Sequence, residues 1–318
     1  MTLDMEIRKT GIGSSEVAAV MGLNPWVSAY DVWLEKTGQI EPFAGNEATE
    51  WGNVLEPHIL ARYEKKTGRK LLVNRLLDGS QRTQRHSSRT WQLATPDATV
   101  DGEPRLVEAK DVGLRMAKDW GDEYTDNVPE YYLVQVMWQM STLVLPVADV
   151  AALIDRKLRI YEVPFDPELE ELLLTRVESF WTKNVMAGNA PEMKATDRTL
   201  EYVKRRWNRE TAPMRAANEW EISTARKIID ARESAKLYDQ IDEQLSLQFK
   251  ASIGDSEGIA GPGWQATWKK AKDSYKTDWE SIALGLRSKV KDEEWQTVLD
   301  LHTEKREGSR RLLLKEVI

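Results

Sequence analysis

Apolar residues recur at intervals of three and four along most of this chain, and the pattern gives way to short alternating runs between about residues 70 and 165. Helical spacing predicts helices over 14–22 and 28–37, with Ser14 and Ser28 available as caps. A longer helix is predicted over 47–66, where Val54, Leu55, Ile59, Leu60 and Tyr63 form the apolar stripe. Lys65, Lys66 and Gly68 mark its end, as the helix dipole and a left-handed cap favour. Strands are expected over 70–74, 91–94, 98–100 and 105–110, the last two joined by a turn around Asp101-Gly102. Then come a helix over 130–144 with Pro129 at its start, a hairpin of 147–154 with 158–163, and a helix over 167–187.

These elements describe a mixed α/β domain over 1–190. Residues 190–198 are polar, contain Pro191 and are a candidate linker. Residues 191–318 read as a mainly helical region with a long periodic helix over 219–250 and a Gly-rich hairpin near 253–268.

Composition narrows the chemistry. Hydrophobic residues at 41% and charged residues at 31% describe an ordinary globular chain. No run approaches the roughly 18 apolar residues of a membrane helix. The N-terminus also lacks a basic-then-apolar leader, so a protein that is not exported, and so cytoplasmic, is expected. The absence of cysteine excludes disulfides and thiolate chemistry. His58, His86 and His302 show no metal-ligand spacing, which disfavours zinc and a serine–histidine triad. A metal here would be held by oxygen, which suits Mg²⁺, Mn²⁺ or Ca²⁺. The net charge of −7 speaks against a general nucleic-acid binder, although it leaves room for a carboxylate cluster beside a local basic surface.

The informative segment is Thr95-Pro96-Asp97 followed by Leu106-Val107-Glu108-Ala109-Lys110. Alternation puts Glu108 and Lys110 on one face of a strand. A four-residue turn over 101–104 sets Asp97 opposite Glu108, gathering two carboxylates and one amine. Such carboxylates, with the Ala109 carbonyl, suit a hard divalent ion. Lys110 would hold or deprotonate the attacking water, or stabilise the transition state. The plain alternative is a solvated hairpin face. Glu56, beside the apolar stripe of 47–66, is either a boundary glutamate or a further ligand. Tyr132 and Gln135 share a helix face, with Gln135 either bonded in the core or lining a site. Arg8 precedes Gly11-Ile12-Gly13-Ser14-Ser15, where glycines entering a helix start could hold a phosphate or simply cap the helix.

Taken in order, "TGIGSSEVAAVMGLNPW", "WGNVLEPHILARYEKKTG", "ATPDATV", "LVEAK" and "YYLVQVMWQM" resemble the YqaJ-type viral recombinase family, a lambda-exonuclease-like branch of the PD-(D/E)XK nucleases. The resemblance runs from about Arg8 to about Ala187. It implies a restriction-endonuclease-like α/β core with a mixed central sheet flanked by helices. It implies that Asp97 and Glu108, with Glu56 and the Ala109 carbonyl, hold Mg²⁺ or Mn²⁺, two ions per site. Lys110 would be the catalytic lysine, and Gln135 with Tyr132 would complete the site. Arg8, Ser14, Ser15 and Thr95 would contact phosphate at a duplex DNA end. The implied activity is 5′→3′ digestion of linear duplex DNA, leaving 3′ single strands for a single-strand annealing partner. Two departures stand out: Trp51-Gly52 replaces an arginine–glycine pair, with Arg62 and Arg89 as stand-ins, and Asp111-Val112 follows Lys110 in place of a proline turn.

Two other readings compete: a structure- or sequence-selective endonuclease, and a non-catalytic DNA-end-binding recombination protein. Homo-oligomerisation is left open. Trp264 and Trp268 alternate beside Lys269-Lys270, as core residues or as a base-stacking surface.

Overall fold

The structure is a computed structural model that describes residues 3–76, 79, 81–272, 278–287 and 289–303. It divides into two compact units, Met1–Arg206 and Trp207–Ile318. In the first unit α1 (Leu3–Lys9), α2 (Ser14–Met21), α3 (Ala29–Lys36) and α4 (Glu47–Thr67) precede the strands β1 (Leu71–Val73), β2 (Gln84–Arg85), β3 (Leu93–Ala94), β4 (Ala98–Val100) and β5 (Arg105–Val112). A 3-10 turn (Leu114–Asp119) leads to α5 (Glu130–Leu143), the hairpin β6 (Val147–Ile154) and β7 (Lys157–Pro164), then α6 (Pro167–Phe180) and α7 (Asp197–Arg206).

Five strands form one mixed sheet in the order β1-β4-β5-β6-β7, with β5 and β6 parallel and the other pairs antiparallel. This is the mixed α/β architecture with flanking helices that the resemblance implies. Alternation along β5 feeds two separate cores. Val107 faces α4, where Ile59, Leu60 and Tyr63 pack with Ala98, Val100, Ala151 and Ile160. Leu106 and Val112 face the opposite side, with Val134, Val136 and Met137 of α5 and Val17 of α2. Each large aliphatic side chain buried in this way contributes about 1.5–3 kcal/mol. The sheet is therefore gripped from both faces, and the residues of β5 are fixed between two helices.

Local chemistry sets the helix ends. Ser28 caps α3 by accepting from Asp31 N at 3.2 Å. Ser14 does not cap α2: Gly13 holds that position, and the Glu16 carboxylate accepts the Gly13 N–H at 2.7 Å. Asn46 opens α4 and Gly68 closes it with a left-handed φ of 76°. Buried Asp149, bonded by Tyr63, Arg69 and Arg105, anchors the C-terminal half of α4 to the sheet.

The first unit runs past residue 190 to Arg206 because α7 docks on α3. Thr196 and Thr199 each donate to buried Asp31 Oδ1 at 2.8 Å. The helix expected over 167–187 is α-helical to Phe180 and then widens into a π-turn over Trp181–Met186. In the second unit α8 (Glu219–Ile253) is followed by the hairpin β8 (Gly258–Gly261) and β9 (Trp264–Thr267), then α9 (Trp279–Arg287) and α10 (Asp292–His302). Trp264 leans on Phe249 at 6.0 Å, and Trp264 and Trp268 are half exposed rather than core. Residues 304–318 of the expected helical region lie outside the described residues.

Candidate active site

Ala98 pairs with Val107 and Thr99 with Leu106, so one further step sets Asp97 opposite Glu108. Asp97 Oδ2 accepts the Ala109 N–H at 2.8 Å, which ties the carboxylate to β5. Glu108 is buried and carries three donors. Lys110 Nζ at 2.7 Å and Gln135 Nε2 at 2.6 Å meet Oε1, and Gln139 Nε2 at 2.9 Å meets Oε2. Lys110 Nζ also lies 4.9 Å from the centre of the Tyr132 ring. The alternation of β5 and one face of α5 (Tyr132, Gln135, Gln139, at spacings of three and four) thus converge on one carboxylate.

Glu56 reaches the same place from α4. Gln81 Nε2 donates to Glu56 Oε2 at 3.1 Å and to Asp97 Oδ1 at 2.8 Å, bridging the two acids. Arg75 Nη2 pairs with Glu56 Oε1 at 2.7 Å. Pro57 follows Glu56 inside the helix and has no N–H to give, so the Asn53 carbonyl lacks its intrahelical donor here.

The electrostatics are those of a crowded acidic site. Burial raises the Asp97 pKa well above the usual carboxylate range and Glu108 adds to this, while Lys110 and the Ala109 N–H offset part of it. Burial works against a charged Lys110, but Glu108 and Asp97 outweigh it and raise the lysine above its ordinary value. These carboxylates therefore favour the ammonium form of Lys110, and negative charge still exceeds the local positive charge around Asp97.

Among the described residues no three His, Cys, Asp or Glu side chains are already arranged as a metal cage. The donor set nevertheless fits a hard divalent cation. Glu56, Asp97 and Glu108 are buried carboxylates, and the charge crowding at Asp97 is what a bound cation would relieve. A strand residue points its N–H and C=O to the same side, so the Ala109 carbonyl opens on the edge where Asp97 sits. Gln139 Oε1, on the side chain that bonds Glu108, is a buried acceptor without a donor among the described residues.

The expected phosphate contacts divide. Ser14 is buried at the cluster, its Oγ 3.4 Å from Gln139 Nε2. Thr95 Oγ1 lies 3.0 Å from Thr83 Oγ1, two residues before Asp97. Arg8 and Ser15 are exposed, and among the described residues no hydrogen bond or ion pair joins either side chain to Glu56, Asp97 or Glu108. Gly13, expected to offer a free N–H to an anion, gives it to Glu16, which in turn pairs with Lys36 at 2.8 Å. Of the two stand-in arginines, Arg89 is held by Gln92 and Ser141, and Arg62 lines a basic hollow of about 490 Å³ with Lys65, Lys66, Arg156 and Lys157.

Three site residues escaped the sequence reading. Gln139 was detectable as the next position on the Tyr132–Gln135 face. Arg75 and Gln81 were not, because they come from an irregular segment whose fold-back no periodicity describes.

The model of the YqaJ-like viral recombinase domain matches residues 5–143. A Bacillus subtilis (strain 168) protein described as "Uncharacterized protein YqaJ" is 29% identical over 294 residues, spanning 86% of this chain and 88% of the relative. An alkaline exonuclease (LHK-Exo) from Laribacter hongkongensis aligns at 22% identity and a TM-score of 0.48, covering 63% of this chain and 95% of that one. A phage related exonuclease from Haemophilus somnus 129PT aligns at 14% identity and a TM-score of 0.42, covering 56% and 94%.

Proposed function

Because residues 5–143 carry a YqaJ-like viral recombinase domain, we propose that the chain is a divalent-metal-dependent deoxyribonuclease acting in phage-type recombination. The observation that carries this reading is the cluster itself: Asp97 and Glu108 in register on paired strands, with Lys110 bonded to Glu108. The substrate is linear duplex DNA, digested 5′→3′ to leave 3′ single strands for an annealing partner.

Asp97, Glu108, Glu56 and the Ala109 carbonyl are the groups that would hold Mg²⁺ or Mn²⁺. When bound, a divalent cation makes water more acidic and offsets the charge that grows on a phosphate oxygen. Lys110, bonded to Glu108 Oε1, would hold or deprotonate the attacking water, or stabilise the charge on the phosphate. Gln135 and Tyr132 fix that lysine, one by sharing Glu108 Oε1 and the other by offering its ring face. Ser14, Thr95, Arg8 and Ser15 are the candidates for phosphate contact, Arg8 and Ser15 being the exposed ones.

The test is digestion of linear duplex DNA labelled separately at each 5′ and 3′ end, in Mg²⁺ and in EDTA, beside a closed circle. Mg²⁺-dependent early release of the 5′ label with an intact circle supports the reading. A cut circle identifies an endonuclease instead. No cleavage in Mg²⁺ or Mn²⁺ leaves a DNA-end-binding protein.

A further inference from the structure

A line of aromatic rings leads from Lys110 to the surface. Tyr132 lies 4.9 Å from Lys110 Nζ, Tyr131 packs on Tyr132 at 4.4 Å, and Trp26 meets Tyr131 edge-on at 5.7 Å with an interplanar angle of 82°. The inner end is firmly seated, since buried Trp120 backs Tyr132 at 5.6 Å. The outer end is not: Trp26 is 59% exposed.

That exposure does not come from a loose loop. Asn24 Oδ1 accepts the backbone N–H groups of Trp26 at 2.8 Å and Val27 at 2.9 Å, a turn that holds the indole in place. A large apolar ring, carried on an ordered turn, set edge-on against Tyr131 and left more than half exposed, is a platform with an open face. Trp26 closes the "GLNPW" string, which the carboxylate cluster leaves without a role.

Resting on the nuclease reading above, we propose that Trp26 stacks on an unpaired nucleobase of the strand being cut, one or two nucleotides from the phosphate at Lys110. A phosphate held at Lys110 must place its neighbouring bases within reach of a ring system that begins at Lys110. Within a duplex both faces of a base are covered by stacking, so only a base that has left the helix can offer a face to an indole. Stacking on an aromatic side chain offsets much of the cost of that unpairing. The platform therefore makes the enzyme open the duplex end as it cuts. It is tolerant of sequence, because every base has a π-face.

A cycle crossing protein and substrate changes tests this. Initial-rate kcat/KM is measured in Mg²⁺ on end-labelled duplexes that are intact or carry one abasic nucleotide at each of the three positions nearest the end. Wild type is expected to lose about ten-fold on one of the abasic duplexes. Trp26→Ala should lose about as much on intact DNA and nothing further on the abasic one, and Trp26→Phe should keep part of the discrimination. Thermal unfolding verifies that both variants fold. Losses that simply multiply, or a Trp26→Ala variant as fast as wild type, would overturn the stacking role and leave the nuclease reading standing. A wild-type protein that cuts no DNA would remove both.

Discussion

Gln139 gives its buried Nε2 to Glu108 Oε2 across 2.9 Å, while among the described residues its own Oε1 has no donor. The residue thus holds one oxygen of Glu108 while Lys110 and Gln135 hold the other. Outer groups that orient a ligand typically change affinity or activity by about 10- to 100-fold when removed. Gln139→Leu is expected to lower kcat within that range and leave KM for DNA nearly unchanged. It should also cost about 1–3 kcal/mol of stability in the absence of metal, because buried Glu108 Oε2 loses its donor. A fall in KM affinity with kcat intact would place Gln139 in substrate binding instead.

Lys110→Ala is expected to abolish cleavage and leave DNA binding largely intact, whereas Lys110→Arg should restore the charge but not the rate. The ammonium fits between Glu108 Oε1 and the Tyr132 ring, and a planar guanidinium does not take the same position. End-label release and gel-shift binding on the same variants separate the two effects. Wild-type turnover in Lys110→Ala would sink the assignment of the site.

Charge crowding at Asp97 predicts a cation response. Mg²⁺ or Mn²⁺ should raise the unfolding temperature of the wild type, by linkage to the folded state alone, with about 2.7 kcal/mol gained at a hundred-fold excess over Kd. Asp97→Asn should raise stability in EDTA, since it removes a buried carboxylate that Glu108 opposes, and should blunt the metal response. Differential scanning in EDTA and in Mg²⁺ measures both. Equal metal shifts in wild type and variant would remove Asp97 from the ligand set.

Gly11 stands where the chain passes Trp91: a Cβ there would lie 2.2 Å from the Trp91 carbonyl oxygen. The neighbouring bridge, Ile12 N to Trp91 O at 2.8 Å and Leu93 N to Ile12 O at 3.0 Å, holds the segment before α2 against the strand that leads to Asp97. Gly11→Ala should therefore destabilise by about 1–3 kcal/mol, as overpacking does. The denaturant midpoint reports it, and an unchanged midpoint would show that this crossing can relax.

His86 predicts a pH dependence. Burial lowers its pKa, helped by Arg89, and its Nδ1 accepts the N–H groups of Ser88 at 3.2 Å and Arg89 at 3.1 Å. The folded state thus prefers the neutral ring. Above the ordinary histidine value of 6.5 both states are neutral and nothing changes; below it the unfolded chain takes up the proton first, so stability falls as pH drops toward the lowered folded value. His86→Asn, with an acceptor but no titration, should show a flatter profile between about pH 7 and 5. Chemical unfolding across that range distinguishes the two, and parallel profiles would discount His86.

Much of the core of this site was readable in one dimension because it lies on regular elements. The side-chain period of a strand sets Glu108 and Lys110 on one face, and a turn of countable length sets Asp97 opposite Glu108. The helix period likewise aligned Tyr132 with Gln135. The same logic did not announce α7, which follows the linker expected over 190–198 and is seated where Thr196 and Thr199 meet Asp31, more than 160 residues away in sequence. It failed also for Gly13, whose N–H is taken by Glu16 three residues on.

By itself, then, the sequence determined element types, the β4–β5 register and the residue chemistry of the acidic cluster, because each depends on interactions between near neighbours. Only the tertiary structure decided which donors occupy each carboxylate: Gln81 and Arg75 on Glu56, Gln139 on Glu108, and Lys110 as a cation between Glu108 and Tyr132. The tertiary structure alone also placed Trp26 at the end of the aromatic line from Lys110. Those partners converge from helices, strands and an irregular loop, and their meeting is set by packing across the sheet rather than by any local period.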